Sequence, residues 1–267
     1  MSGINCSPIF KSKLVSRSKN WFLSFFSQLL SVGSIHYYLK NESGWQTRLF
    51  IHNYFSLLND GPFAATWEVE LFSQDGKLLK TLTGAFSGPA TEVIDLAQID
   101  GLDNYGIVGV RVIDADQKMF LPSTYGTIFF VEYYKPDTLQ TIFAHGLGGF
   151  LRPTHYNYQH SSTSWVTPDS YRPYLIIANA CRFQPWLHPK CGEAVVTFTN
   201  CNKKKKSITI PNMSPLSCHK IDLLEYFPDL ADYLHGKAYV IEVNGKNILA
   251  KPLIFQTSGN LALVEHL

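Results

Sequence analysis

Three histidines close together in the chain, His145, His155 and His160, are the residues best able to do chemistry. Asp169 follows them, and His36 stands earlier. Imidazoles with a carboxylate suit a divalent metal such as zinc or iron. The spacings match no established ligand motif. A five-residue step along a strand would also send His155 and His160 to opposite faces. A metal-dependent enzyme built on His145, His155 and His160 is therefore the alternative reading of this region.

Nucleophilic chemistry has less to stand on. "FAHGLGG" (Phe143–Gly149) resembles the His-Gly loop that precedes the oxyanion hole of α/β-hydrolases, but that fold needs a Gly-x-Ser-x-Gly elbow, and the sequence has none. Cys181 or Cys191 with His188 would make a thiol–imidazole pair, yet no third group is in place to orient the ring.

A recognition surface fits the residue types better. "THYNYQHSSTSW" (Thr154–Trp165) mixes aromatics with hydroxyl and amide side chains, and Tyr171, Tyr174 and Trp186 continue the pattern. Rigid aromatic faces beside small polar groups make adaptable binding surfaces and also suit sugar rings. The candidate ligand-binding residues are Tyr158, His160, Trp165, Tyr171 and Trp186. The expected partner is a protein, a carbohydrate or another small ligand. No cofactor is called for, except the divalent metal of the alternative reading.

The elements that position these residues come from a repeat. "RLFIHNY" (Arg48–Tyr54) matches "YLIIANA" (Tyr174–Ala180), and "VELFSQDGK" from Val69 matches "VTFTNCNKK" from Val196. "VIDL" ending at Leu96 matches "KIDL" ending at Leu223, so Asp95 pairs with Asp222. "YGIVGVRVID" from Tyr105 matches "HGKAYVIEVN" from His235, which pairs Gly106 with Gly236. Pro122 matches Pro252, and "VEY" at Val131 matches "VEH" at Val264. "IHYYLKNESGW" (Ile35–Trp45) is the twin of the opening stretch, setting His36 against His155 and Trp45 against Trp165. Several matches in order are a strong repeat signal.

Each unit reads as β structure. "WEVELF" alternates, "QDGK" supplies an Asp-Gly turn, and short strands follow between turn residues, giving a sandwich of about seven strands. The second unit has the corresponding hairpin with Lys203–Lys206 at its tip. "IDLLEYFPDLADYLHG" carries a short helical turn. The expected fold is all-β: a tandem duplication of an antiparallel β-sandwich behind a short N-terminal amphipathic helix. The divisions fall at 1–34 (basic segment and helix), 35–134 (first repeat), 135–153 (glycine-containing linker) and 154–267 (second repeat).

Composition agrees with a globular protein. Of 267 residues, 45% are hydrophobic and 16% charged, enough for a real core. A net charge of +2 gives no basic field for nucleic acid. Five cysteines without a paired framework fit a reducing cytoplasm. In residues 11–32, Lys11, Lys13, Arg17 and Lys19 precede Trp21, Phe22, Phe25, Phe26, Leu29 and Leu30, which share one helix face. That stretch is open to packing on the body, to peripheral membrane contact, or to export through residues 1–33. It falls short of the about 20 apolar residues a membrane span needs.

The run "YLIIANA … VTFTN … IDL … YVIEV" resembles the strand order of the small β-sandwich proteins called sensory rhodopsin transducers, over most of each copy. The resemblance implies a non-enzymatic sandwich that binds partners or small ligands and forms homo-oligomers. Elemental analysis of protein prepared without chelator separates the two functional readings. Stoichiometric zinc, iron or manganese would support the histidine cluster, and its absence would remove it.

Overall fold

The computed structural model describes residues 34–53, 56, 64–86, 88, 90–114, 129–138, 140–145, 157–164, 171–179, 191–234, 239–246, 252–258 and 261–266. The N-terminal helix expected within residues 11–32 lies outside them, as do His155, Trp165 and Trp186. The first half runs β1 (Ser34–Glu42), β2 (Trp45–His52), β3 (Ala65–Ser73), β4 (Leu78–Phe86), β5 (Thr91–Asp95), a 3-10 turn (Leu96–Gln98), β6 (Tyr105–Asp114), β7 (Phe129–Tyr134) and β8 (Thr141–His145). The second runs β9 (Asn157–Ser164), β10 (Arg172–Ala178), β11 (Gly192–Thr199), β12 (Lys205–Met213), β13 (Cys218–Asp222), helices α1 (Leu223–Tyr226) and α2 (Leu230–Leu234), β14 (Tyr239–Lys246), β15 (Leu253–Ser258) and β16 (Leu261–His266). All pairings are antiparallel, so the fold is all-β. No helix among the described residues is long and apolar enough to cross a membrane.

The strands alternate because one face is buried and the other is not. In β2, Trp45, Thr47, Leu49 and Ile51 point inward, while Gln46, Arg48, Phe50 and His52 are half-exposed. Thr47 is polar yet buried because its Oγ1 accepts from Leu39 N at 2.8 Å. Buried His36 is held in the same way: its Nδ1 lies 3.0 Å from the Tyr133 hydroxyl, which donates to Tyr37 O at 2.9 Å.

Pairings in the first half recur in the second. β4-β3-β6-β1 is answered by β12-β11-β14-β9, and the set β5, β2, β7, β8 by β13, β10, β15, β16. The matched asparagines end β2 and β10: Asn53 Nδ2 donates to Gly88 O at 2.7 Å and Asn179 Nδ2 to Met213 O at 2.9 Å. Asp95 accepts from Ala97 N, and Asp222 from Leu224 N, each one starting the turn or helix that follows.

The registers correct several of the sequence matches. Val69 stands opposite Val110 and Val196 opposite Val243, so Val110 corresponds to Val243. Matching Gly106 to Gly236 would instead have set Val110 against Val240. The shift is odd, so it exchanges faces: Val243 is fully buried and Val240 is exposed. His36 lies opposite Val108, and Ser162 opposite Ile241, so Ser162 holds the place of His36 that His155 was expected to hold. Val131 lies on β7, whose counterpart is β15, whereas Val264 lies on β16. Part of the stretch read as a linker, 135–153, is β8, hydrogen-bonded along β7.

Strands β10 and β15 of the sheet β13-β10-β15-β16 are buried on both faces. Leu175, Ile177, Ile221 and Ile254 pack into the core of the second half with Val196, Phe198, Ile241 and Val243. Their alternates Ile176, Ala178, Cys218, Leu253 and Phe255 join the core of the first half. Phe255 sits edge-on to Trp45 and Tyr133, with ring centroids 5.8 and 5.5 Å away. Around this contact Cys218 N donates to Gln74 O at 2.9 Å, and Lys220 pairs with Glu42. Gly76, at φ +85°, turns the β3–β4 hairpin so close to Pro215 that a Cβ would fall 2.1 Å from its carbonyl oxygen. The two halves therefore share one apolar layer. A single cooperative denaturant transition is expected, and Phe255→Ala should lower stability by about 3 kcal/mol. Two resolved transitions in the unsubstituted protein would contradict this.

Candidate functional site

The outer face of β5, β2, β7 and β8 is the counterpart of a surface that is buried in the second half. Register sets its rows. Asp95, Arg48, Glu132 and Phe143 lie across the four strands in one line, and Val93, Phe50, Phe130 and His145 in the next. Phe143 is 58% exposed and Val93 49%, and the Phe50 ring lies 5.7 Å from that of Phe143.

Charged and hydroxyl groups are locked together along the first row. Arg48 Nη1 donates to Glu132 Oε2 at 2.7 Å and Nη2 to Asp95 Oδ2 at 3.4 Å. The guanidinium lies 4.2 Å over the Tyr134 ring. Tyr134 donates its hydroxyl to Asp95 at 2.7 Å, and Thr141 Oγ1 donates to Glu132 Oε1 at 2.6 Å. Burial works against the Arg48 charge, but Glu132 and Asp95 outweigh it and raise its pKa. Burial first, and then the hydrogen bond to Asp95, push Tyr134 up to about 12. The phenol thus stays protonated near neutrality, where it serves as a donor rather than as a base. The face combines fixed polar groups with an apolar, solvent-facing edge, a combination suited to recognition.

At one end of the face, His52 Nδ1 lies 2.9 Å from Thr91 Oγ1 and its ring centroid 5.4 Å from that of Phe130. Burial lowers its pKa. On β13, burial also lowers the pKa of His219, with Asp75 opposing.

The sequence candidates are distributed differently. Tyr158 and His160 lie on β9, at register positions opposite Gly245 and Val243. Tyr171 is half-buried just before β10. His145, of the proposed metal cluster, ends β8 opposite Phe130, in a different sheet from His160. Among the described residues no group of three or more His, Cys, Asp or Glu could hold a metal ion.

Arg48, Phe50, Val93, Glu132 and Phe143 did not stand out in the sequence. The signal was the half-polar phase of "WQTRLFIH", whose outward residues are Gln46, Arg48, Phe50 and His52. Phe143 lay in the stretch assigned to the linker.

No protein-family model matches the chain, and no curated protein matches it at a significant level. Among solved structures it is similar to the exo-chitosanase CsxA of Amycolatopsis orientalis, with TM-score 0.21 and 9% identity, over 78% of this chain and 24% of that one. A beta-glucuronidase from glycoside hydrolase family 2 gives TM-score 0.21 and 13% identity, over 88% of this chain and 24% of that one. A family 2 member from Bacteroides cellulosilyticus DSM 14838 gives TM-score 0.17 and 11% identity, over 89% and 28%. The chain spans about a quarter of the length of these proteins. So slight a likeness carries nothing about fold or activity.

Both folded-state histidine pKa values lie below the ordinary 6.5. The unfolded chain therefore binds protons more readily. The stability these residues contribute is complete above pH 6.5 and is lost as pH falls through the folded values. Denaturant midpoints should drop between pH 7 and 5. His52→Gln and His219→Gln should each flatten that dependence, and an unchanged profile in both variants would contradict the assignment.

Proposed function

We propose that the protein is a non-enzymatic interaction protein that recognises a protein partner through the outer face of β5, β2, β7 and β8. One observation carries the reading. This face presents Phe143 and Val93 to solvent beside a fixed charged row, while its counterpart in the second half is filled by protein, namely the first half of the same chain. Apolar side chains grouped beside ordered polar groups mark interaction surfaces, whereas single scattered ones do not. The resemblance of the repeats to transducer-like sandwiches points the same way. Carbohydrate recognition through Tyr158, His160, Trp165, Tyr171 and Trp186 is the second reading, and it rests on the residue types of that stretch.

The test uses the tagged full-length chain as bait in native extract, with captured proteins quantified by mass spectrometry. A partner held by the unsubstituted chain should fall at least tenfold with the Val93→Glu, Phe143→Glu double variant, a loss of about 1.4 kcal/mol or more of binding energy. Both positions are exposed, so the circular dichroism spectrum and melting point should stay unchanged. Equal capture by bait and variant would remove this face from the function.

A further inference from the structure

We propose that the partner of this face includes a second copy of the chain, docked head to tail through the β11–β12 turn of its second half. The inference rests on the interaction reading above and goes beyond it by naming the occupant and the surface it uses.

The contact already made between the two halves is the template. There the β3–β4 turn of the first half presses against β13 and the loop before it, with Cys218 N donating to Gln74 O at 2.9 Å. Both sides of this contact have exposed counterparts elsewhere in the chain. On the accepting side, β5 corresponds to β13 and Thr91 to Cys218, because His52 pairs with Thr91 as Ala178 pairs with Cys218. Thr91, Glu92 and Val93 are all exposed, on a strand whose hydrogen-bonded neighbour among the described strands is β2 alone. An open edge of this kind offers unpaired backbone groups to an incoming chain.

On the donating side, the β11–β12 turn repeats the β3–β4 turn hydrogen bond for hydrogen bond. Ser73 N donates to Lys77 O at 2.8 Å and Gly76 N to Ser73 O at 3.0 Å; Asn200 N donates to Lys204 O at 3.0 Å and Lys203 N to Asn200 O at 2.9 Å. Lys203, at φ +61°, takes the left-handed position of Gly76. Cys201, Asn202, Lys203 and Lys204 are all exposed.

The accepting loops also differ. Gly76 must be glycine because Pro215 O stands where a Cβ would go. Counted from the carbonyl that the strand-end asparagine engages, the loop is shorter in the first half, Gly88 to Thr91, than in the second, Met213 to Cys218, so the two loops do not present the same carbonyls. Charge is matched as well. Glu92 stands exposed on the open edge strand β5, and the incoming turn carries exposed Lys203 and Lys204. A contact between different surfaces does not close on two copies; it continues into a ring or an open chain.

Sedimentation velocity and light scattering on the full chain over a wide concentration range test this. The average mass should climb past twice the 30.2 kDa chain mass. Val93→Glu with Phe143→Glu, and separately Lys203→Glu with Lys204→Glu, should each hold the protein at monomer mass. Mixing the two variants leaves one intact surface on each, so the mixture should rise to a dimer and stop there. A wild-type chain that stays monomeric at all concentrations overturns the inference. So does association that survives the lysine variant, since that requires a different surface. A monomeric chain that still loses a captured partner through the face variant keeps the interaction reading and sinks only this one. A chain that does neither sinks both.

Discussion

The structure depends on the burial of two neighbouring strands, β10 and β15, on both of their faces. A sandwich normally hides one face of each sheet and leaves the other to water. Here Leu175 and Ile177 go to one core, and their alternates Ile176 and Ala178 go to another. A strand in that position cannot tolerate a polar residue in either phase without a partner. That explains the apolar run "YLIIA" and the capping of its end by Asn179, whose amide and backbone groups are engaged by Met213, Leu216 and Ser217. Pro173 is tolerated in β10 because at that position only β15 pairs with it.

The same face in the first half has another solution. Where the second half places Tyr174, Ile176 and Phe255, the first places Arg48, Phe50 and Glu132 at the matching register positions. The Arg48–Glu132 and Arg48–Asp95 pairs are partly exposed, so their worth lies in fixing side chains rather than in stability. Tyr134, stacked against the guanidinium and bonded to Asp95, completes a rigid polar strip. Phe143 and Val93 beside it stay in solvent. One architecture thus yields a covered layer in one half and an open face in the other.

Burial also grades the cysteines. Cys218 sits in the shared layer, and its thiol pKa is pushed far up by burial, whereas Cys191 and Cys201 are exposed. Cys218 behaves there as a small hydrophobe.

Much of the strand content was legible in the residues themselves, because alternation, Asp-Gly turns and capping aspartates act locally. "VELFSQDGK" announces β3, its turn and the start of β4, and Asp95 and Asp222 announce the turns that follow them. What failed was register. A strand repeats every two residues, so a match displaced by an odd number differs little in residue types: pairing Gly106 with Gly236 sets Val240 where Val243 belongs, and pairing His36 with His155 passes over Ser162. "TIFAH" is short and sits beside glycines, so nothing local distinguished β8 from a linker until β7 was there to receive it. The sequence alone determined that the chain is β structure, since side-chain periodicity and turn chemistry are properties of neighbouring residues. Only the tertiary structure decided which of two equivalent faces would be buried and which left open, because that choice rests on contacts between residues far apart in the chain, such as Trp45 with Phe255 and Gln74 with Cys218.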